Sequence, residues 1–256
     1  MCCPSRFRAG FLASLIGAGV ALSQDAGALY REGLRFFSER KPEAAIASLR
    51  QSLALQPGNA PAWKALGVVY ASRGDYESAE PAFRNACERQ PKLEEACLYH
   101  GRSLYLLDRF AEAIEALRRA NTVQVGAEAH RLLALSLEAM GRFAEAEPEF
   151  GAAIRLANAT APEEDPGIDY GVFLYRQGRA PQALEPLAAA LRRHPNSARG
   201  HLEIGCVLMS LERLEEAADH LQRALALRDT ARGHLLLGKT YLRLGRNAEA
   251  ELHLKR

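Results

Sequence analysis

The chain has 256 residues, of which 48% are hydrophobic and 25% charged, and this excludes a mainly disordered protein. Aromatic residues make up only 7%, so any core is built mostly from aliphatic side chains. Lys and Arg number 33 against 31 Asp and Glu, a near balance that argues against a surface made for nucleic acid or an anionic membrane.

Residues 1–23 read as a secretory signal peptide. Arg6 and Arg8 form a positive start with no acidic residue, and an apolar run follows from Phe11 to Leu22. That run is shorter than the ~20 residues a membrane-spanning helix needs. Ala21 and Ser23 place small residues at the −3 and −1 positions of a cleavage site before Gln24. Cys2 and Cys3 precede the apolar run, where a bacterial lipoprotein cysteine would follow it; palmitoylation of either is the alternative. The expected location is therefore exported, periplasmic or secreted, with a bacterial envelope favoured. Removal of Arg6 and Arg8 leaves 31 basic and 31 acidic residues and only Cys87, Cys97 and Cys206, an odd and sparse set that argues against a disulfide framework.

From Ala26 onward the chain repeats itself. Units begin at 26, 60, 94, 127, 164, 198 and 231, and the last is cut short at Arg256. The eighth position of each unit is small: Gly33, Gly67, Gly101, Ala134, Gly171, Gly205 and Gly238. The twentieth is always Ala, from Ala45 to Ala250, and the twenty-fourth is large: Leu49, Phe83, Leu117, Phe150, Leu187, Leu221 and Leu254. Small residues at a crossing let two antiparallel helices approach, and large ones fill the space between. Gly74, Gly141, Gly178 and Gly245 mark the turns within units, and Pro57, Pro91 and Pro195 close three of them.

This pattern resembles the tetratricopeptide repeat family. The second unit carries it best, with Trp63, Leu66, Gly67, Tyr70, Ala79, Phe83, Ala86 and Pro91 at the family's positions. The resemblance covers residues 26–256 and implies an all-α fold: an α-solenoid of about seven antiparallel helix pairs wound as a right-handed superhelix. It also implies that the first helices line a concave groove for a protein or peptide segment. The groove residues so assigned are Tyr30, Phe37, Lys64, Val68, Leu98, Arg102, Tyr105, Arg131, Leu135, Ile168, Val172, Tyr175, Leu202 and Met209, with Leu34, Arg176, Leu235, Lys239, Leu242 and Arg243 continuing the set. An apolar wall broken by cations suits an amphipathic segment with acidic groups. Lys64 has Val68 where the family's carboxylate clamp would need Asn, so no such clamp is expected.

The function implied is that of a non-catalytic adaptor of the cell envelope. No cofactor, metal, nucleic acid or small-molecule substrate is expected. The alternative is a repeat region of a larger enzyme or envelope-assembly protein continuing past residue 256. An unfinished last unit favours an incomplete chain, and otherwise leaves Leu252 and Leu254 for a partner or a second copy.

Other motifs are weighed against plain packing. Gly233 to Thr240 satisfies the phosphate-loop pattern, including Gly238 and Lys239, but it sits on a helical leucine run with no strand before it, so the match is read as coincidental. His130, His201 and His234 share position four and are read as buried or half-buried imidazoles. His220 and His253 share position twenty-three and could lie near each other across units, a poor metal site without a carboxylate. Cys87 and Cys97 sit at facing helix ends; a disulfide is conceivable, but two separate buried thiols are favoured. Cys206 falls on the groove side as a reachable thiol. Pro81, Pro148 and Pro186 are expected to bend or displace the first turns of second helices. The insertion 159–166 reads as a surface loop or a hinge, and Asn158 begins a glycosylation sequon.

Overall fold

A computed structural model describes residues 25–93, 95–123, 126–157 and 162–255. Residues 1–23, read above as a signal peptide, and the sequon at Asn158 lie outside the described residues. Among these residues there are fourteen α-helices, one short 3-10 turn (Pro162–Glu164) and no strand. The helices are α1 (Ala26–Ser38), α2 (Pro42–Leu55), α3 (Ala60–Ser72), α4 (Tyr76–Arg89), α5 (Ala96–Leu106), α6 (Phe110–Val123) and α7 (Ala127–Ala139). They continue as α8 (Phe143–Leu156), α9 (Pro166–Arg176), α10 (Ala180–Arg193), α11 (Ala198–Ser210), α12 (Leu214–Leu227), α13 (Ala231–Arg243) and α14 (Asn247–Leu254).

Local chemistry starts and stops these helices. Asp25, Asn59, Asp75, Asp165, Ser197 and Thr230 each accept a hydrogen bond from a first-turn N–H. Such a cap contributes ~1 kcal/mol. Within every unit the turn passes through one left-handed residue at the same position. Glycine fills it four times, as Gly74, Gly141, Gly178 and Gly245, and Arg40, Asp108 and Glu212 fill it with φ of 59°, 56° and 60°. A residue with a Cβ carries a strain of about 1–2 kcal/mol there. The turn geometry is therefore imposed by helix packing, not by glycine alone.

The two helices of a unit meet at the eighth position. A Cβ on Gly33, Gly67, Gly101, Gly205 or Gly238 would stand 2.6–2.7 Å from Leu49, Phe83, Leu117, Leu221 or Leu254 respectively. Leu254 thus packs within its own unit. Ala134 takes the equivalent place in the fourth unit, where Phe150 is fully buried. Each helix packs on the next in chain order. The odd-numbered helices also meet one another, α1 with α3 and α5 through α13 in succession, whereas no two even-numbered helices come together to the same degree. The odd helices therefore form the inner, concave side.

Three local expectations are corrected. Cys87, near the end of α4, and Cys97, in the first turn of α5, are joined in a disulfide with Cα atoms 4.8 Å apart; they are not separate thiols. The facing helix ends bring them into bonding range. Pro81, Pro148 and Pro186 lie inside α4, α8 and α10, which run on unbroken. Packing on both neighbours outweighs one missing helical hydrogen bond.

The described part of the insertion, 162–166, is packed against the repeats and is not a bare surface loop. Asp165 is fully buried, caps α9 through Gly167 N at 2.8 Å and accepts two bonds from Arg193 at 2.9 and 2.7 Å. The Glu163 carboxylate accepts from Ala198 N and Arg199 N at the start of α11, both at 3.1 Å. A carboxylate satisfies the unpaired N–H groups and the positive end of that helix. Glu163 and Asp165 thereby clasp the fifth and sixth units together.

Candidate protein-binding groove

The concave face is built by the odd helices, and the expected groove residues lie on them. Tyr30, Phe37, Lys64, Val68, Leu98, Tyr105, Arg131, Leu135, Val172, Tyr175, Leu202 and Met209 are half-buried, and Arg102 is exposed. Ile168 is the exception. It is 0% exposed and belongs to the core with Phe173 and Leu174, so it is no groove residue. It lies one residue before Asp169 and turns inward between α9 and its neighbours. Much of the wall also leans on the core: Leu98, Tyr105, Leu135, Val172, Tyr175 and Met209 pack against its buried cluster. The most exposed apolar side chains of the odd helices are Leu34 and Leu106, and, at the far end, Leu235 and Leu242.

The groove cations are not bare. Arg131 Nε donates to Asp169 Oδ2 and Arg199 Nη2 to Asp169 Oδ1, each at 2.5 Å, joining α7, α9 and α11. Burial pulls the Arg131 pKa down, but Asp169 outweighs it and leaves the guanidinium more firmly charged than usual. Arg232 bonds Glu203 at 3.0 Å, Arg176 bonds Glu138 at 3.1 Å, and Arg102 lies 3.3 Å from Glu128. Arg243 pairs with Glu212 and donates to the Met209 carbonyl at 2.9 Å. These ladders neutralise much of the positive charge that the residue types alone suggest. Each joins neighbouring units, so they align first helices as well. The signal was present at Arg199 with Asp169 and Arg232 with Glu203: a cation at position two and an acid near position six of the preceding unit.

A recess opens on this face between two inner helices. Where the other inner helices from α5 to α13 touch their successors, α3 and α5 leave a notch of about 280 Å³. Val68, Ala71, Ser72, Tyr76, Phe83, Tyr99, Arg102 and Ser103 line it. Phe83 and Tyr99 form its aromatic floor, with ring centroids 5.3 Å apart, and the Lys64 ammonium stands 5.7 Å above the Tyr99 ring. Burial and the hydrogen bond to Glu95 push the Tyr99 phenol up to about 12, so it stays a neutral donor. The disulfide fixes α4 to α5 beside this gap. Sequence reading assigned Val68, Lys64 and Arg102 to the groove but not the notch, because a local gap between two inner helices leaves no mark on the repeat pattern.

The remaining motifs find structural places. Gly233 to Thr240 lies wholly within α13, and Thr240 is buried with its hydroxyl donating to Leu236 O at 2.8 Å. The backbone N–H groups there are spent in the helix and form no phosphate cradle. Cys206 is buried and not reachable, and burial raises its thiol to about 11. His220 and His253 do not pair with each other. Each faces the position-four imidazole of its own unit, His201 Nδ1 to His220 Nδ1 at 3.0 Å and His234 Nδ1 to His253 Nδ1 at 2.7 Å. His130, at the same position, bonds Glu149 at 2.5 Å. Positions four and twenty-three cross within a helix pair, which is why the partner is nineteen residues away and not in the next unit.

These features define a stack of helical hairpins with a concave inner side. The family model described as tetratricopeptide repeat matches residues 30–94, 171–232 and 202–256, more than half of the chain. The model described as anaphase-promoting complex, cyclosome, subunit 3 matches 72–153. The chain belongs to the tetratricopeptide repeat family. Among curated proteins it is similar to cilia- and flagella-associated protein 70 of Homo sapiens, 35% identical over 95 residues, which are 36% of this chain and 8% of that protein. The chain thus spans under a tenth of that relative's length. Two of the solved structures similar to this chain illustrate the fold. The APC/C hetero-tetramer Cut9–Hcn1 has a TM-score of 0.66 at 19% identity, covering 84% of this chain and 43% of that one. PilF of Pseudomonas aeruginosa has 0.64 at 21% identity, covering 86% and 96%.

Proposed function

We propose that the chain is a non-catalytic scaffold whose concave face holds a peptide segment of a partner protein. The notch between α3 and α5 takes an apolar side chain of that segment, and Lys64 on its rim takes an acidic group. The observation that carries this reading is the notch itself: a walled, aromatic-floored recess on the inner face of a rigid stack. Rigid display lowers the entropy lost on binding. The Cut9–Hcn1 hetero-tetramer, a structure of the same fold, is itself an assembly of unlike chains.

Peptides selected from a displayed random library against the chain test the reading. Val68→Trp, which fills the notch, and Lys64→Glu each weaken the selected peptide at least tenfold, about 1.4 kcal/mol. Unchanged affinity in both refutes the groove reading. We also propose export to the cell envelope, supported by the signal pattern of residues 1–23 and by a disulfide, which suits an oxidising compartment. Amino-terminal sequencing of the native protein tests it: a start at Gln24 supports export, and a start at Met1 opposes it.

A further inference from the structure

The outer face carries a recess of its own. Between α10 and α12, over α11, runs a cleft of about 530 Å³. Its α10 wall is an apolar stripe, Leu184, Ala188 and Leu191, at the i, i+4, i+7 spacing of one helix face. Ile204 and Leu208 of α11, also one turn apart, make the floor. Stripes at this spacing are what a further helix packs on. His201 and His220 line the cleft too. They are hydrogen-bonded to each other and burial lowers both pKa values, so at neutral pH they add no charge.

The charged side chains lining the cleft are mostly cations. Arg192 stands on one wall and Arg213 and Arg223 on the other, against Glu216 among the described residues. Arg213 is spent on Glu216, at 2.7 and 2.6 Å. Arg192 reaches Glu185 at 3.3 Å, but both side chains are mostly exposed, and such a pair holds weakly. Arg223 is exposed and makes no hydrogen bond or ion pair among the described residues. This sets it apart from the inner-face cations Arg131, Arg199 and Arg232, each bound to an acid of a neighbouring unit. A cation left for an outside anion thus stands on the outer face, across from an apolar stripe.

We propose that this cleft docks an amphipathic acidic helix of a partner protein, at a second surface separate from the inner groove. Apolar side chains of that helix, at i, i+4, i+7 spacing, lie on Leu184, Ala188 and Leu191. Its acidic flank faces α12 and gives a carboxylate to Arg223, whose planar guanidinium suits a two-pronged bond. A helix without acids covers Arg223 and leaves it no anion, so the cleft selects against it.

Helix-forming peptides from a displayed random library test this. They are selected against the full chain carrying Val68→Trp, which closes the inner notch and keeps the two sites distinguishable. The selected sequences carry acids along one flank of an apolar stripe. By fluorescence anisotropy, a labelled selected peptide binds the wild type and the Val68→Trp chain equally. Arg223→Glu, which reverses the cation, and Ala188→Trp, which fills the cleft, each weaken it about tenfold or more, and Arg223→Lys keeps most of the affinity. Thermal melts confirm that each variant is folded. Salt weakens binding to the wild type more than to Arg223→Glu. Affinity unchanged by both Arg223→Glu and Ala188→Trp overturns the proposal, and so does a selection that yields no acidic peptide. A free chain that runs as a dimer, and as a monomer once Arg223→Glu is introduced, overturns it in favour of a second copy in the cleft.

Discussion

Arg199 on α11 donates to the Asp169 carboxylate on α9 at 2.5 Å, across the boundary between two repeats. The other carboxylate oxygen is held by Arg131 from α7. Asp169 is 3% exposed at its side chain, so one buried acid pins three successive inner helices. Asp169→Ala leaves two guanidinium groups facing each other without their anion. Breaking a buried pair in this way costs about 3 kcal/mol, to be read from urea unfolding. Asp169→Asn also uncovers cationic groove, so an acidic peptide binds it more tightly than the wild type, with a steeper loss in salt.

The left-handed turn residues give a stabilising prediction. Arg40→Gly relieves the Cβ strain at φ 59° and raises unfolding stability by about 1 kcal/mol. Gly74→Ala, with φ of 74°, lowers it by a similar amount. Thermal melts of the two variants shift in opposite directions if the turn geometry is set by the helix pair.

The crossing glycines give the opposite sign. Gly205→Ala places a Cβ about 2.7 Å from Leu221 Cγ, and the buried helix pair must part to admit it. Overpacking of this kind costs about 1–3 kcal/mol. Ala134→Gly in the fourth unit, where the pair already accommodates a methyl, leaves a small void and loses less.

Stability also depends on pH through the imidazoles. Burial lowers the folded-state pKa of His100, His201 and His220 below the ordinary 6.5. The unfolded chain therefore binds more protons than the folded one as pH falls through 6.5. Their stabilising contribution is complete above pH 6.5 and declines below it, before the carboxylates with an ordinary value of 4.5 begin to titrate. Denaturant midpoints between pH 8 and pH 5 show the decline, and His220→Gln makes it shallower. A flat profile contradicts the buried, neutral assignment.

Reduction of the Cys87–Cys97 bond releases a short loop between α4 and α5. Closing a loop of that size constrains the unfolded chain by roughly 2–3 kcal/mol. Dithiothreitol lowers the melting temperature of the wild type and leaves a Cys87→Ser, Cys97→Ser double variant unchanged.

Much of this architecture is legible in the chain. The columns at positions eight, twenty and twenty-four are direct records of helix crossings, so Gly67 and Phe83 announce their contact. Features outside the crossings are not. Arg40 and Glu212 carry no turn signature, because tertiary packing imposes their backbone. Ile168 fits the groove position but is buried in the core cluster with Phe173 and Leu174, a local difference that repeat alignment does not record. The groove cations read as free because their acids come from other units; the pairing of Arg199 with Asp169 and of Arg232 with Glu203 emerges from the sequence only when position two of one unit is compared with position six of the unit before.

A partner segment bound along the concave face is within reach of the inner helices and out of reach of the outer ones. A photo-reactive residue placed in turn at Val68, Tyr105, Leu55 and Leu227, with a selected peptide added, reads this out. Cross-links form from Val68 and Tyr105 on the inner helices and from neither Leu55 nor Leu227 on the outer ones. Cross-links from the outer positions alone would contradict binding along the concave face.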